Sequence, residues 1–333
     1  MDLPGPGSYL VSAQKLTGGM GQQQTYELRV DIPKVSQHNL DIDLPLGRIS
    51  GSVRGPDGPK AGTRVNLWND GPIANGSLSG GNFAEIQTDA KGHFEIGWLR
   101  PGEYVVAAGG AHIFGMDGDD QETLGRELRT GLKISAGQSL EGLDFRLKAS
   151  GSIEGTLVGQ GGAAVVGATL FARDESGAVV DRISFIQSDA GGRFRYSGLA
   201  PGQYKIWARD ASQVSQEALV KVAEASSSEV KLAMAAGTVL VVSLSDAKDA
   251  PLDCKVSVLD SSGKLVNGVF SMTEIMSSLQ QGNWSSKEQR VGPLPPGKYK
   301  VMAVTSEGQV ASKPVQLSGQ QSERKVSLRV GEG

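Results

Sequence analysis

The sequence has little of what most catalytic or metal-binding sites are built from. It carries one cysteine and three histidines in 333 residues. A single cysteine, Cys254, excludes an intrachain disulfide framework and any metal site built from several thiolates. The histidines His38, His93 and His112 lack the His-Xaa-Xaa-Xaa-His and His-Xaa-Xaa-Glu spacings that bring two zinc ligands together. We therefore expect a protein that is not an enzyme and that needs no cofactor.

Long apolar runs and an excess of one charge are also missing. The longest apolar runs, such as residues 238–244, fall far below the roughly 18 residues that a membrane-spanning helix needs. The 33 basic and 36 acidic side chains give a net charge of −3, so there is no basic surplus for a phosphate backbone. We expect no membrane span and no nucleic-acid partner.

What the sequence does contain is an internal repeat. The pattern Leu-Xaa-Pro-Gly-Xaa-Tyr occurs three times, at 99–104, 199–204 and 294–299, and its last four positions occur at 6–9. The tyrosines are 95, 100 and 95 residues apart. A second pattern, Asp-Ala-Xaa-Gly-Xaa-Phe, precedes two of the copies at 89–94 and 189–194. A period near 100 residues indicates tandem domains of that size.

Apolar residues alternate with polar ones at the start and end of each copy, and this period of two predicts β-strands. No stretch shows a helical period, so the fold class is an all-β sandwich. The predicted opening strands are marked by Ile49 and Val53, by Ile153 and Leu157, and by Val239, Val241 and Ser243. The predicted closing strands are marked by Leu40, Ile42 and Leu44, by Leu143, Phe145 and Leu147, by Val230, Leu232 and Met234, and by Val326, Leu328 and Val330.

Each pattern has a local structural interpretation. Proline fixes φ and glycine permits a positive φ, so the Pro-Gly pair turns the chain sharply before the next strand. The following tyrosine is then placed to pack inside the sandwich and to bond back to the upstream main chain, as in a tyrosine corner. The predicted corners are Tyr9, Tyr104, Tyr204 and Tyr299. The Asp-Ala-Xaa-Gly segments predict hairpin turns.

In this order, the opening strand, the two patterns and the closing strand resemble the carboxypeptidase regulatory-like domain. That family is similar to the prealbumin-like (transthyretin) and carbohydrate-binding-like folds. The resemblance implies three tandem seven-stranded Greek-key sandwiches, at 46–148, 149–234 and 235–333, the last of them degenerate. Residues 1–45 resemble the C-terminal part of a truncated upstream repeat, so we expect that the missing signal peptide does not argue against export.

Tryptophans beside arginines are the candidate binding residues. Alternation places Arg64 and Trp68 on the outer face of one predicted strand, and Trp207 and Arg209 on the outer face of another. Exposed indole rings stack on sugars or anchor protein partners; the alternative is that they cover a sheet face or a domain junction. Trp98 shares its period with core residues, and Cys254 is expected to be a small buried residue.

The acidic stretch Asp117, Asp119 and Asp120 is the candidate metal site. Its carboxylates suit Ca²⁺, but the stretch departs from the EF-hand pattern at its sixth and twelfth positions. A solvated loop is the alternative to a Ca²⁺ site.

The resemblance and the lack of catalytic residues together favour a structural or interaction array. We expect a spacer or adhesive stalk in a secreted, periplasmic or cell-surface bacterial protein, monomeric and binding a protein or glycan. Short junctions between domains with an odd number of antiparallel strands predict a semi-rigid rod. Two alternatives remain. One is a carbohydrate-binding array that uses exposed tryptophans. The other is a set of accessory domains of a metallopeptidase or outer-membrane transporter, which the family accompanies without carrying out its chemistry.

Overall fold

The computed structural model describes residues 5–15, 24–35, 37–44, 46–69, 84–110, 124–252, 254–271, 274, 288–305 and 309–330. The fold is all-β, as predicted. The described chain divides into two compact units. The first contains residues up to 69, 84–108 and 129–146, and the second contains residues 109–110, 124–128 and 147–330.

The first unit begins with an antiparallel hairpin. Strands β1 (Gly7–Lys15) and β2 (Gln24–Ile32) pair with each other as a two-stranded sheet. The closing strand predicted at Leu40, Ile42 and Leu44 is wrong, because residues 37–44 form no strand and Leu40 is exposed. In the three complete repeats the closing strand pairs with the opening strand of its own repeat, and the described residues before 37 provide no such opening strand.

The first repeat places two sheets against each other within the first unit. Its strands are β3 (Gly47–Gly55), β4 (Gly58–Pro59), β5 (Arg64–Asn69), β6 (Ala84–Gln87), β7 (His93–Leu99), β8 (Gly102–Ala108), β9 (Glu127–Ile134) and β10 (Ser139–Arg146). Strand β3 lies between β10 and β7 in one sheet, and the other sheet has the order β6-β5-β8-β9. The buried side chains include Ile49, Val53, Val65, Leu67, Phe94, Tyr104 and Phe145.

The second repeat lies in the second unit, and seven of its strands are joined into one sheet, unlike the two separate sheets of the first repeat. Its strands are β11 (Gly151–Val158), β12 (Thr169–Asp174), β13 (Ile183–Ser184), β14 (Arg193–Leu199), β15 (Gly202–Arg209), β16 (Gln213–Ser215), β17 (Ala218–Val222) and β18 (Ser227–Ala236). Strand β11 pairs with β14 and β18, and β15 pairs with β12 and β17. Its core includes Ile153, Leu157, Leu170, Phe194, Tyr196, Ile206 and Leu232.

The third repeat contains β19 (Thr238–Ser245), β20 (Cys254–Leu259), β21 (Phe270–Ser271), β22 (Glu288–Leu294), β23 (Gly297–Thr305), β24 (Val310–Leu317) and β25 (Glu323–Arg329). Its two sheets have the orders β22-β19-β25 and β20-β23-β24, around a core separate from that of the second repeat. Cys254 is buried in this core, as predicted. The prediction for β19 is out by one residue, since Leu240, Val242 and Leu244 face the core instead of Val239, Val241 and Ser243.

The closing strand of every repeat runs parallel to its opening strand, which corrects the expectation of wholly antiparallel sheets. The parallel pairs are β3 with β10, β11 with β18, and β19 with β25. Parallel neighbours need a long crossover, and the intervening strands of the repeat supply it. The chain therefore enters the opening strand and leaves the closing strand of each repeat at opposite ends of one sheet.

A glycine in the opening strand explains the phenylalanine of the second sequence pattern. Gly155 lies opposite Phe194, and a Cβ atom on Gly155 would lie 2.8 Å from the phenylalanine ring and overlap the main-chain carbonyl of Val230. Gly51 and Phe94 form the same pair in the first repeat. The third repeat has Val242 opposite Gln289 instead. The third copy therefore lacks the phenylalanine, because the valine side chain of its opening strand supplies the volume that the phenylalanine ring supplies in the other two repeats.

The predicted Asp-Gly hairpin turns are present. The carboxylate of Asp189 accepts hydrogen bonds from the amides of Gly191 and Arg193, each 2.8 Å long, and Gly192 has a φ of +72°. The carboxyl group of Asp89 accepts the equivalent hydrogen bonds from the amides of His93 and Lys91. These bonds lower its pKa, and the bond from His93 has the larger effect. The carboxylate of each aspartate thus accepts hydrogen bonds from the main chain of its own turn.

Candidate interaction site

Each Pro-Gly-Xaa-Tyr segment ends in a tyrosine that bonds to the carbonyl oxygen four residues before it. The hydroxyl of Tyr104 donates to Arg100, that of Tyr204 to Ala200 and that of Tyr299 to Pro295, over 2.7, 2.8 and 2.9 Å. Tyr9 makes the same bond to Gly5. The three later rings are buried in their sandwiches. Tyr104, Tyr204 and Tyr299 thus each tie the turn to the core of their own repeat, as a tyrosine corner does.

Alkaline titration should report on these tyrosines. Burial, with the nearby Asp260 and Glu217 carboxylates, raises the pKa of Tyr299 to about 12. Because this folded-state pKa lies above the ordinary value near 10, the stability from the neutral phenol is complete below pH 10 and is lost as the pH rises towards 12. We expect tyrosinate absorbance and loss of folded structure to rise together in this window. A Tyr299 that titrates near pH 10 while the protein stays folded would contradict the burial.

The predicted outer-face residues of the first repeat are on that face but are not exposed. Trp68 is 4 % exposed and Arg64 is 7 % exposed. Arg64 Nε lies 3.3 Å from a carboxylate oxygen of Glu85 on the neighbouring strand β6. The expectation of an exposed tryptophan beside a free cation is therefore wrong at this position. Alternation identifies the face on which a side chain lies but not whether that face is covered.

The same correction applies to Trp207 and Arg209, which are each 8 % exposed. Trp207 on β15 stacks against Phe171 on β12, with ring centroids 5.6 Å apart and planes inclined by 24°. The guanidinium of Arg173 lies 5.2 Å from the Trp207 ring centroid, and that of Arg209 lies 5.0 Å from the Phe171 centroid. Two cations therefore sandwich two stacked rings, an arrangement stabilised by cation–π attraction.

The four stacked side chains, in the order Arg173, Trp207, Phe171 and Arg209, are called the ladder, and a segment of the third repeat covers it. We call residues 265–271 and 274 the strap. Val269 joins Phe171 and Trp207 in one buried cluster, and strand β21 of the strap pairs in parallel with β13 of the second repeat. Residue by residue, Arg173 donates to the Leu265 carbonyl over 2.8 Å, and Arg209 donates to the Val269 carbonyl over 3.2 Å and to both Glu274 carboxylate oxygens over 2.8 Å. The alternative interpretation of Trp207, as cover for a domain junction, fits this geometry.

Arg126 is a further buried arginine, and the sequence did not predict its role. The guanidinium of Arg126 contacts the carboxylate of Asp181 and donates to the carbonyls of Val180 and Gly109, each over 3.2 Å. The other oxygen of Asp181 accepts a hydrogen bond of 2.7 Å from the hydroxyl of Tyr196. Arg126 lies just before β9, far from its partners in sequence, and no local pattern marks it.

Other predicted residues fall outside these contacts. His93 is exposed, as expected of a solvent position. Trp98 is half-buried rather than fully in the core, and its φ is +61°, where the second repeat has Gly198 with a φ of +73°. Asp117, Asp119 and Asp120 lie outside the described residues. Within the described part of the chain no cluster of three or more acidic, histidine or cysteine side chains is arranged to hold a metal ion, and no helix is long and apolar enough to span a membrane.

One open groove, of about 720 Å³, lies in the first repeat. Phe94 lines it together with Asp89, Glu95 and Glu141. Arg48 already pairs with Glu95 at 3.6 Å and with Glu141 at 2.8 Å, and Asp89 is used by its turn. These carboxylates are therefore engaged within the protein, and we assign no ligand to the groove.

Similar solved structures include two pilins and one further bacterial protein. The Bacillus anthracis TIE protein is 15 % identical, with a TM-score of 0.24; the match covers 98 % of this chain and 60 % of that one. The minor pilin GBS52 of Streptococcus agalactiae is 14 % identical, with a TM-score of 0.24 and coverage of 56 % and 95 %. The major pilin BcpA of Bacillus cereus is 10 % identical, with a TM-score of 0.22 and coverage of 86 % and 100 %. This chain thus spans three fifths of the length of the TIE protein.

A family model gives the firmer result. No curated protein matches the sequence. Residues 152–235, about a quarter of the chain, match the model of the carboxypeptidase regulatory-like domain. The matched residues run from the start of β11 almost to the end of β18, so they are one whole sandwich. The family resemblance seen in the sequence is therefore confirmed for the second repeat, which matches the carboxypeptidase regulatory-like domain.

Proposed function

We propose that this chain is a non-enzymatic structural and interaction segment of a secreted or envelope-attached bacterial protein, in which tandem sandwiches act as a spacer or adhesive stalk. The observation that carries the proposal is the occupied face of the second repeat. Trp207 and Arg209, two of the four candidate binding residues of the sequence, contact the third repeat together with Arg173.

The topology of each repeat supports the same role. Because the opening and closing strands are parallel, the chain enters and leaves a repeat at opposite ends of its sheet. Each of these repeats therefore carries the chain from one end of its sheet to the other, as a spacer domain requires. The tyrosine bonds secure the turn before the fifth strand of the second and third repeats, β15 and β23.

If Trp207 bound carbohydrate, its indole ring would have to be exposed. Stacking on a sugar ring needs an open indole face, whereas this indole lies between Phe171 and Arg173. We expect oligosaccharides added to the full chain to leave its tryptophan fluorescence unchanged, and a glycan array to show no binding that Trp207→Ala abolishes. Saturable binding lost in Trp207→Ala but retained in Trp98→Ala would favour the carbohydrate-binding function.

The family match favours one further candidate, an accessory array of a metallopeptidase or transporter. Antibodies raised against the chain can distinguish this accessory role from the proposed stalk role in the native host. We expect the antigen in the envelope or the medium, without peptidase activity in the immunoprecipitate. An antigen confined to the cytosol would contradict the proposal, and co-purifying peptidase activity that depends on metal would favour the accessory role.

A further inference from the structure

Two buried arginines of the second unit make the same kind of contact with a following loop. Arg126 donates to the Val180 carbonyl and pairs with the Asp181 carboxylate. Arg209 donates to the Val269 carbonyl and pairs with the Glu274 carboxylate. In both cases the arginine is buried, and one main-chain carbonyl and one carboxylate receive it.

The two receiving loops occupy the same place in their repeats. Each follows the second long strand of its sandwich and begins with an Asp-Xaa-Ser-Gly turn, at 174–177 in the second repeat and 260–263 in the third. After the turn the chain runs back beside that strand, where Val180 donates to the Ala172 carbonyl and Val266 donates to the Val258 carbonyl. The contact is thus a recurrent feature of this architecture.

The contact of Arg209 is supported by further hydrogen bonds within the strap. The strap is pinned at its end by reciprocal bonds, in which Ser271 donates its amide to the Glu274 carboxylate over 2.7 Å and Glu274 donates its amide to the Ser271 hydroxyl over 3.1 Å. Charge-assisted hydrogen bonds to a buried guanidinium are about twice as strong as neutral ones, and truncating Glu274 leaves the buried charge of Arg209 without its carboxylate partner.

We propose that the ladder of Arg173, Trp207, Phe171 and Arg209 is a docking surface specific for the strap, and that its occupation makes the second and third repeats fold as one cooperative unit. The proposal rests on the structural role inferred above and adds how that role is achieved. The partner that fits the surface is an extended segment with two outward carbonyls, a β-branched apolar side chain and a carboxylate five residues further on. Separate apolar cores alone would let the two repeats unfold independently.

Hydrogen exchange of the full chain tests the proposal. Leu328→Ala removes a buried side chain from β25, in the core of the third repeat and away from the strap. If the repeats are coupled, this change should accelerate exchange at least tenfold in the slowest amides of β11 and β14 of the second repeat as well as in β19. Acceleration confined to the third repeat would overturn the proposal.

A double-mutant cycle identifies the ladder as the coupling element. In the background Arg209→Met with Glu274→Gln, the effect of Leu328→Ala on β11 and β14 should disappear. The effect of the double variant Arg209→Met with Glu274→Gln should depart from the sum of the two single effects by about tenfold or more in the unfolding equilibrium constant. The exposed pair Arg290 and Glu323 is the matched control and should give about threefold or less. If the ladder variants fail to fold, the Leu328→Ala comparison in the native background still decides, and neither result bears on where the protein resides.

Discussion

Replacing Asp181 with asparagine should lower the free energy of unfolding of the second repeat by about 3 kcal/mol, the range found when one partner of a buried ion pair is removed. The physical reason is the position of Arg126, whose side chain is only 3 % exposed. Asparagine keeps the shape of the aspartate and can still accept from Tyr196, but it leaves the guanidinium charge buried with only carbonyl partners. Urea denaturation of the full chain, followed by exchange in β14, measures the loss.

The control for this prediction is an ion pair of the same repeat on its surface. Glu154 and Arg195 lie 2.9 Å apart with side chains 40 % and 67 % exposed. Glu154→Gln should cost less than about 1 kcal/mol, because water screens such pairs. Equal losses for the two substitutions would show that Arg126 is solvated and that the segment before β9 is not packed against the second repeat.

Replacing Gly155 with alanine should destabilise the second repeat by about 3 kcal/mol or more, at or above the upper end of the cost of overpacking a core. The added methyl group would overlap the Val230 carbonyl on the parallel closing strand and press on the Phe194 ring. The main-chain carbonyl cannot move without breaking the pairing of β11 and β18. Thermal unfolding of the full chain with exchange read in β18 measures the effect.

Gly202→Ala is the matched control, because its added methyl group would meet only the Tyr204 ring, at an ordinary 3.8 Å. Its effect should stay within about 1 kcal/mol. A partial rescue of Gly155→Val by Phe194→Gln would strengthen the explanation, since the third repeat already combines valine with glutamine at these positions. A harmless Gly155→Ala would mean that the opening and closing strands are not paired as described.

Local chemistry accounts for the parts of the fold that could be predicted from sequence. The turn at Asp189 needs only the aspartate carboxylate and a glycine three residues later. The hydroxyl of Tyr204 bonds to the carbonyl oxygen four residues before it. Such interactions lie within one short segment, so a short pattern specifies them. The period of two likewise identified the strands, although it placed β19 out of register because Val239 to Leu244 is apolar on both faces.

Contacts between distant segments account for what could not be predicted. Trp207 was correctly assigned to the outer face of β15, but its burial depends on Val269, which lies 62 residues away. Arg126 meets Asp181 across 55 residues. A strand pattern carries no information about which later loop folds over its outer face. The parallel closing strand was missed for the same reason, since it depends on the pairing of the first and last strands of a repeat.

Nuclear Overhauser effects in the full chain test the central claim most directly, because that claim is that the strap of the third repeat closes the aromatic face of the second. With methyl groups labelled at valine, the account predicts effects between Val269 and the rings of Phe171 or Trp207, abolished by Val269→Ala. A Trp207 ring with no contact to Val269, and an indole resonance that moves when oligosaccharide is added, would contradict the structural role.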